Sequence, residues 1–282
     1  MPRDHAAPTP PTWLAVLRGD APLVVSFPHT GTELPDEIEP GLVSPWLARK
    51  DCDWWIEKLY DFARELGATT IRTSISRTAI DVNRDPSGAS LYPGQATTGL
   101  CPTTTFDGEP LYRDGKAPDE AEIARRRVVY FEPYHDALAA ELTRLRALHR
   151  RVALYDCHSI RSVIPRLFEG ALPEFNIGTN DGASCDPGLT ARIEALCDAS
   201  GRSRVTNGRF KGGWITRRYG RPQDGVHAVQ MELACRAYMR EPDGAPTPRN
   251  WPSAWDKAYA APIAQTLREV LTACRDFAAD AA

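Results

Sequence analysis

The chain has 282 residues, of which 42% are hydrophobic and 25% charged, and this balance excludes a largely disordered protein. Its formal net charge of −3 argues against a large nucleic-acid-binding surface, which requires an excess of positive side chains. No apolar run is long enough to cross a bilayer, and residues 1–11 lack the apolar core of a secretory signal. The seven cysteines include no C-x-x-C pair, which is typical of free thiols in a reducing compartment, so we expect a cytoplasmic protein.

The first half of the chain predicts short buried strands around one helical segment. Leu23–Phe27 is an apolar, β-branched run that stops at a proline, which indicates a buried strand. Apolar residues recur at helical spacing over residues 46–66, and residues 68–73 and 78–82 are typical of two further strands. Residues 85–116 are rich in Gly, Pro and Thr, and a loop of this length usually serves as a lid or a binding loop.

The second half continues the alternation of helices and strands. The predicted elements are a helix over 117–150 broken or kinked at Pro133, a strand over 151–156, a helix over 188–201, a strand at Val205, an apolar run over 227–233 and an amphipathic helix over 252–279. Strands separated by helices predict βαβ units, and hence a mostly parallel sheet covered on both faces. Because no repeat or clear linker divides the chain, we expect one α/β domain over residues 1–282.

Two histidines follow predicted strands at the edge where parallel α/β sheets bind ligands. His29 comes just after Leu23–Phe27, and His158 comes just after the strand that ends at residue 156. Their side chains can therefore converge although they lie far apart in the chain. Two imidazoles plus one carboxylate are a common ligand set for a catalytic zinc ion, whereas capping or surface positions are the alternative explanation.

Three acidic residues are candidates for the carboxylate that would complete such a site. Asp51 and Asp53 open the helix predicted after the His29 loop, where acidic side chains also serve as helix caps. Glu33 would approach the ion only if the loop formed a helical turn, which the neighbouring glycine and proline disfavour.

Arginines and one buried acid are candidates for substrate binding and proton transfer. Arg77 and the pair Asn83 and Arg84 flank the strand predicted over 78–82. A guanidinium group donates two parallel hydrogen bonds to a carboxylate, although solvated arginines would also fit this pattern. Glu232 lies in the apolar run, where burial raises a carboxyl pKa toward the range of a general base; a structural salt bridge is the alternative.

Several short motifs occur together and in order. They are SFPHTGTELP at residues 26–35, DW at 53–54, SRTAIDVNR at 76–84, YH at 134–135, DCHS at 156–159, KGGWIT at 211–216 and QME at 230–232. This set, which spans about residues 22–240, resembles the N-formylglutamate amidohydrolases, or N-formylglutamate deformylases, of histidine degradation. The resemblance implies a three-layer αβα fold with a mostly parallel or mixed central sheet, similar to that of the zinc carboxypeptidases.

The resemblance also implies roles for individual residues. It assigns His29 and His158 as zinc ligands, Glu232 as general base, and Asn83 with Arg84 as the residues that bind a substrate carboxylate.

The sequence departs from its carboxypeptidase-like relatives at one ligand. Those sites take two ligands from a His-x-x-Glu motif, but Thr32 stands three residues after His29. We therefore expect Asp53 as the third ligand, with Asp51 as the alternative.

The expected reaction is zinc-dependent hydrolysis of N-formyl-L-glutamate to formate and L-glutamate, the final step of a histidine degradation route. The further residues expected around this small acidic substrate are Arg77 and His135 near the oxyanion, Asn207 and Gly213 in the pocket wall, and Arg77, Arg166 or Arg217 for the second carboxylate. The alternatives are a related zinc amidohydrolase acting on another N-acyl amino acid or a short peptide, and a metal-free binding protein.

Overall fold

A seven-stranded mixed sheet forms the centre of the computed structural model, which describes residues 11–91, 94 and 97–280. The strands are β1 (Leu14–Leu17), β2 (Leu23–Phe27), β3 (Thr69–Thr73), β4 (Val152–Ile160), β5 (Phe175–Gly178), β6 (Arg204–Thr206) and β7 (Val226–Ala234). They lie in the order β1-β3-β2-β4-β7-β5-β6, and the central strands β3, β2, β4 and β7 are parallel. Strands β1 and β5 pair antiparallel with their neighbours, so the predicted mostly parallel or mixed sheet is confirmed.

Helices cover both faces of this sheet. They are α1 (Pro45–Arg49), α2 (Ile56–Leu59), α3 (Glu120–Arg126), α4 (Glu132–Leu148), α5 (Pro187–Ala199), α6 (Trp214–Tyr219) and α7 (Lys257–Ala279). Helices α2, α5 and α7 pack on one face, and α4 and α6 pack on the other. The expected three-layer αβα arrangement is therefore confirmed. Among the described residues, no helix is both long enough and apolar enough to cross a membrane.

The central strands change character along their length. On the α4 side of β4, Val152 and Leu154 belong to the apolar core, and the next residues on that face are Asp156 and His158. Ala153, Tyr155 and Cys157 lie on the other face and pack in the opposite apolar cluster. The sheet thus has an apolar interior and a polar carboxyl-terminal end on the α4 face.

One predicted strand was wrong. Residues 78–82 form turns and no β-ladder, although Ile80 and Val82 are buried. Their apolar, β-branched character reflects burial in a loop, where side chains satisfy the backbone polar groups in place of a strand partner. Arg126 donates to the Ala79 carbonyl, and the Val82 carbonyl bonds to His135.

The helix predicted over 46–66 was also wrong in its continuity. The chain forms α1, α2 and a short 3-10 helix over Asp61–Leu66. The break arises because the Asp53 N–H donates to the His29 carbonyl and Trp55 adopts a left-handed conformation with φ of 63°. Consequently neither Asp51 nor Asp53 caps a helix.

Other boundaries differ from the prediction in informative ways. Strand β4 continues to Ile160, so His158 lies inside the strand and not in a following loop. In the segment predicted as a helix over 117–150, a π-helical turn over Arg127–Phe131 separates α3 from α4, and Pro133 lies in the first turn of α4, where a missing N–H is tolerated. The closing helix begins only at Lys257, because Asp256 caps it by accepting from the Tyr259 N–H.

Candidate active site

A cleft opens beyond the carboxyl ends of β2, β4 and β7, the place where open α/β sheets bind ligands. Its floor is formed by His29, His158 and Glu232, with Asn83, Gly213 and Gln230 beside them. The first wall consists of Arg77, Arg84, Thr97, Thr98 and Phe106, and the second wall consists of Ile160, Leu167, Arg209 and Phe210. The segment predicted as a lid contributes Thr97, Thr98 and Phe106, whereas its residues 92, 93, 95 and 96 lie outside the described part of the chain.

The two predicted histidine ligands meet at the floor of the cleft. Their ring centroids are 4.8 Å apart, and both side chains are almost fully buried. His29 Nε2 bonds to Asp81 Oδ1 at 2.7 Å, and His158 Nε2 bonds to Asp156 Oδ2 at 2.9 Å. Each ring therefore has its Nε2 held by a buried carboxylate and its Nδ1 available to an ion.

Asp53 is the carboxylate that the fold brings to these rings. Its Oδ2 lies 3.2 Å from His158 Nδ1 and 3.8 Å from His29 Nδ1. The Ser159 N–H also donates to this oxygen, and the backbone bond from Asp53 to His29 fixes the loop. The position of Asp53 thus follows from contacts with both neighbouring strands.

The other two carboxylate candidates point elsewhere. Asp51 Oδ2 accepts from the Phe106 N–H at 2.7 Å, and its Oδ1 lies 3.4 Å from an Arg161 nitrogen. Glu33 is exposed and accepts from the Ser74 hydroxyl at 2.6 Å. Among the described residues, only His29, Asp53 and His158 form a set whose ligand atoms all lie within 4.8 Å of one another.

The geometry of this trio fits a zinc ion. Tetrahedral zinc with ligands at about 2.0–2.2 Å separates its ligand atoms by roughly 3.3–3.6 Å, close to the 3.2 and 3.8 Å measured from Asp53 Oδ2. His29 Nδ1 and Asp53 Oδ1 are buried and have no hydrogen-bond partner among the described residues. Buried polar atoms of this kind are costly unless a ligand satisfies them.

The carboxylate behind His158 is itself held in a network that sequence reasoning did not assign. Ser26 Oγ donates to Asp156 Oδ1 at 2.9 Å and bonds to the Tyr134 hydroxyl at 2.8 Å. Asn83 Nδ2 donates to Asp156 Oδ2 at 3.3 Å. Such carboxylate–histidine pairs fix the tautomer and orientation of metal ligands. The signal in the sequence was the spacing of Asp156 and His158, two residues apart on one strand face.

Charges around the trio shift the pKa values of its members. Burial lowers the pKa of His29, assisted by the Arg77 guanidinium. Burial also opposes the charged form of His158, but the Asp156 and Asp53 carboxylates outweigh it and hold the His158 pKa well above its usual range. The site is therefore rich in negative charge next to His158, which favours a cation.

Glu232 lies beside His158, because the two residues are register neighbours on the parallel strands β4 and β7. Gln230 Nε2 donates to Glu232 Oε2 at 3.3 Å. Burial raises the pKa of Glu232 to about 7, against the attraction of His158. A carboxyl group with this pKa exchanges protons readily near neutral pH.

Two predicted arginines line the first wall. Arg77 donates to Asp81 Oδ2 at 2.6 Å and lies 3.9 Å from Asp53 Oδ1, so its charge faces the trio. Arg84 donates to the Thr98 hydroxyl at 3.0 Å, and its Nε lies 3.5 Å from Asp81 Oδ2. Both guanidinium groups are thus held at the cleft by Asp81.

Asn83 and Gly213 form a close contact at the edge of the floor. The Asn83 amide is used inside the protein, since Oδ1 accepts from the Ile215 N–H and Nδ2 donates to Asp156. A Cβ atom on Gly213 would lie 2.3 Å from Asn83 Nδ2, so only glycine fits. These contacts give Asn83 a positioning role beneath the cleft.

Two further predicted residues are not brought to the cleft. His135 stacks on Tyr219 and bonds through Nε2 to the Val82 carbonyl at 2.8 Å; burial lowers its pKa to about 4. Asn207 adopts a left-handed conformation with φ of 52° and bonds through its amide to the backbone and hydroxyl of Thr179. Both anchor loops that carry residues of the cleft.

The second wall contains residues that sequence reasoning missed. Arg209 and Phe210 follow β6 in a loop with no recognised motif, and Leu167 lies in the irregular segment after β4. Arg166 and Arg217, the predicted alternatives, are not among the described residues that line the cleft. Arginine is frequent in this chain, so no local pattern singled out Arg209.

Comparison with known proteins identifies the family of the chain. The sequence profile of the N-formylglutamate amidohydrolase family matches residues 21–239. The chain belongs to this family. It is 50% identical over 259 residues to N-formylglutamate deformylase of Pseudomonas aeruginosa, with 92% of each chain covered. It is 46% identical to N-formylglutamate deformylase of Pseudomonas putida, covering 92% of this chain and 94% of that relative.

Solved structures share the fold of this amidohydrolase family member. The crystal structure of N-formylglutamate amidohydrolase from Ralstonia eutropha superposes with a TM-score of 0.77 at 23% identity, covering 94% of this chain and 98% of the other. A protein from Agrobacterium tumefaciens gives a TM-score of 0.69 at 19% identity over 94% and 95% of the two chains. At these identities the likeness concerns the fold alone.

Proposed function

We propose that this chain is a zinc-dependent deformylase that hydrolyses N-formyl-L-glutamate to formate and L-glutamate. The observation that carries the proposal is the convergence of ring nitrogens of His29 and His158 and a carboxylate oxygen of Asp53, all within 4.8 Å of one another at the floor of a cleft. Membership of the family and the name of the two Pseudomonas relatives support the choice of substrate.

The proposed ligands of the zinc ion are His29, Asp53 and His158. Two imidazoles and a carboxylate are the donor set of many hydrolytic zinc sites, and three protein ligands leave one position open. A zinc ion bound there would polarise the formyl oxygen and lower the pKa of a water molecule.

The protein side chains would carry the proton transfers. Glu232 would accept a proton from the attacking water molecule as the water oxygen bonds to the formyl carbon. Glu232 would then pass this proton to the amide nitrogen as the carbon–nitrogen bond breaks, releasing formate and the free amine. Arg77 would stabilise the negative charge that develops on the formyl oxygen, because its guanidinium lies 3.9 Å from the proposed zinc ligand Asp53.

Arg84 would bind the carboxylate next to the scissile amide. The Nε atom of Arg84 is buried and has no hydrogen-bond partner among the described residues; it lies 3.5 Å from Asp81 Oδ2. The Asn83 amide is hydrogen-bonded to Ile215 and Asp156, so we propose that Arg84 binds this carboxylate without Asn83.

The proposed setting is the last step of histidine degradation in the cytoplasm. Seven free, buried cysteines support a reducing compartment.

An assay of three substrates tests the proposal. Tag-free protein loaded with zinc is given N-formyl-, N-acetyl- and N-succinyl-L-glutamate, and release of free amine is measured before and after chelation. We expect the formyl compound to be preferred by at least about tenfold, because a pocket shaped for the formyl hydrogen would have no room for the methyl group of an acetyl compound. We also expect chelation to abolish turnover. Preference for the acetyl or succinyl compound would instead identify a related amidohydrolase, and no turnover of any compound would favour a binding protein.

A further inference from the structure

The second wall combines an apolar surface with one cation. Ile160, Leu167 and Phe210 line this side of the cleft, and Arg209 is the cationic residue among them. The Arg209 guanidinium lies 5.2 Å from the Phe210 ring centroid, and its Nε donates to the Leu167 carbonyl at 2.9 Å. The cation is therefore oriented by a backbone acceptor and an aromatic face.

The loop that carries Arg209 is fixed to the sheet. Asn207 accepts from the Thr179 N–H at 2.8 Å and donates to the Thr179 hydroxyl at 2.8 Å. Its own N–H donates to the Ile177 carbonyl at 2.7 Å. A side chain on Gly208 would meet Val205, so the chain turns tightly just before Arg209. Arg209 is consequently presented by an anchored turn.

The substrate itself has two carboxylates at different distances from the reacting carbon. In N-formylglutamate the α-carboxylate is separated from the formyl carbon by the nitrogen and Cα only, whereas two methylene groups extend the other carboxylate further. Arg84 is linked through Asp81 to His29, so it lies near the reacting end. The second wall offers apolar side chains that suit the methylene groups and a guanidinium that suits the carboxylate they carry.

On this basis, and given the proposed deformylase activity, we infer that Arg209 binds the side-chain carboxylate of the substrate and determines specificity for acidic amino acids. Arg77 donates to Asp81 and lies 3.9 Å from Asp53 Oδ1, so its charge is directed at the trio, whereas Arg84 and Arg209 line the two walls of the cleft. A guanidinium that pairs with a carboxylate discriminates strongly against a neutral side chain of the same shape.

The test uses N-formyl-L-glutamate and N-formyl-L-glutamine, which differ in charge but hardly in shape. For Arg209→Met we expect kcat/KM for the glutamate compound to fall about 100-fold, while the value for the glutamine compound changes less than about threefold. Arg84→Met should lower kcat/KM for both compounds, because both carry the α-carboxylate. Arg221→Met, which removes an exposed arginine outside the cleft, should change neither value.

The outcomes separate the inference from the proposed function. If the wild-type protein converts neither compound, the deformylase proposal fails. If the wild type is active and Arg209→Met keeps its preference for the glutamate compound, or loses both activities equally while its melting temperature is unchanged, Arg209 does not determine specificity. If Arg209→Met unfolds, Arg209→Lys decides: it keeps the charge but loses the fork, so we expect about a tenfold loss with the glutamate compound alone. An equal loss with both compounds would overturn the inference.

Discussion

The floor and the walls of the cleft are built in different ways. The histidines of the floor are each held by a buried carboxylate, Asp81 behind His29 and Asp156 behind His158. Most residues of the walls lie on loops, where Arg84 donates to the Thr98 hydroxyl and Arg209 to the Leu167 carbonyl. This difference predicts that the floor carries the chemistry and that the second wall selects the substrate. Variants of the floor should therefore affect every substrate, whereas Arg209→Met on the second wall should change the choice among substrates.

The largest expected effect comes from removing a floor ligand. His158→Ala should lower kcat/KM by more than about 1,000-fold for every N-formyl substrate, because the loss of one imidazole abolishes zinc binding and the catalysis that depends on it. Elemental analysis and steady-state kinetics measure both effects. His149→Ala, which changes a histidine remote from the cleft, should leave both within about twofold of wild type. Full zinc occupancy in His158→Ala would show that His158 is not a zinc ligand.

The proton-transfer role of Glu232 predicts a loss of turnover without loss of metal. Glu232→Gln should reduce kcat by about 100- to 10,000-fold, the usual contribution of a positioned general base, and zinc content should stay at the wild-type level. The exposed Glu269→Gln is the matched control. A kcat within threefold of wild type would remove Glu232 from the mechanism.

A smaller effect is expected one layer below the floor. In Asp156→Asn, the new amide must direct its NH₂ group at Ser26 or at the His158 and Asn83 donors, which breaks part of the network. Zinc affinity should fall about 10- to 100-fold, as measured by competition with a chelator, and added zinc should restore activity. Unchanged affinity would show that Asp156 does not orient His158.

The smallest effect concerns the anchor of the first wall. His135 bonds to the Val82 carbonyl, and its pKa is about 4 in the folded protein against 6.5 when unfolded. The stabilisation by neutral His135 is therefore complete above pH 6.5 and is lost as the pH falls toward 4, by at most about 3 kcal/mol. Urea unfolding across this pH range should show a steeper loss of stability in wild type than in His135→Gln. Parallel curves would contradict the assignment.

Sequence reasoning found the floor more readily than the walls, for physical reasons. His29, His158 and Glu232 stand on or next to buried apolar strands, where polar residues are conspicuous, and parallel strands bring their carboxyl ends together. Strand β5 has only four residues and β1 lies at the edge of the sheet, so neither had a strong pattern. Residues 78–82 had the composition of a strand but are buried by tertiary contacts. Arg209 depends on an anchored turn whose bonds join distant segments, which a local pattern does not reveal.

Crystals of the zinc-loaded protein, measured at the zinc absorption edge, test the central claim most directly. The account predicts one anomalous peak at the floor of the cleft, with His29 Nδ1, His158 Nδ1 and an Asp53 oxygen at about 2.0–2.2 Å. A peak bound through the Nε2 atoms, or a main peak away from these three side chains, would contradict it.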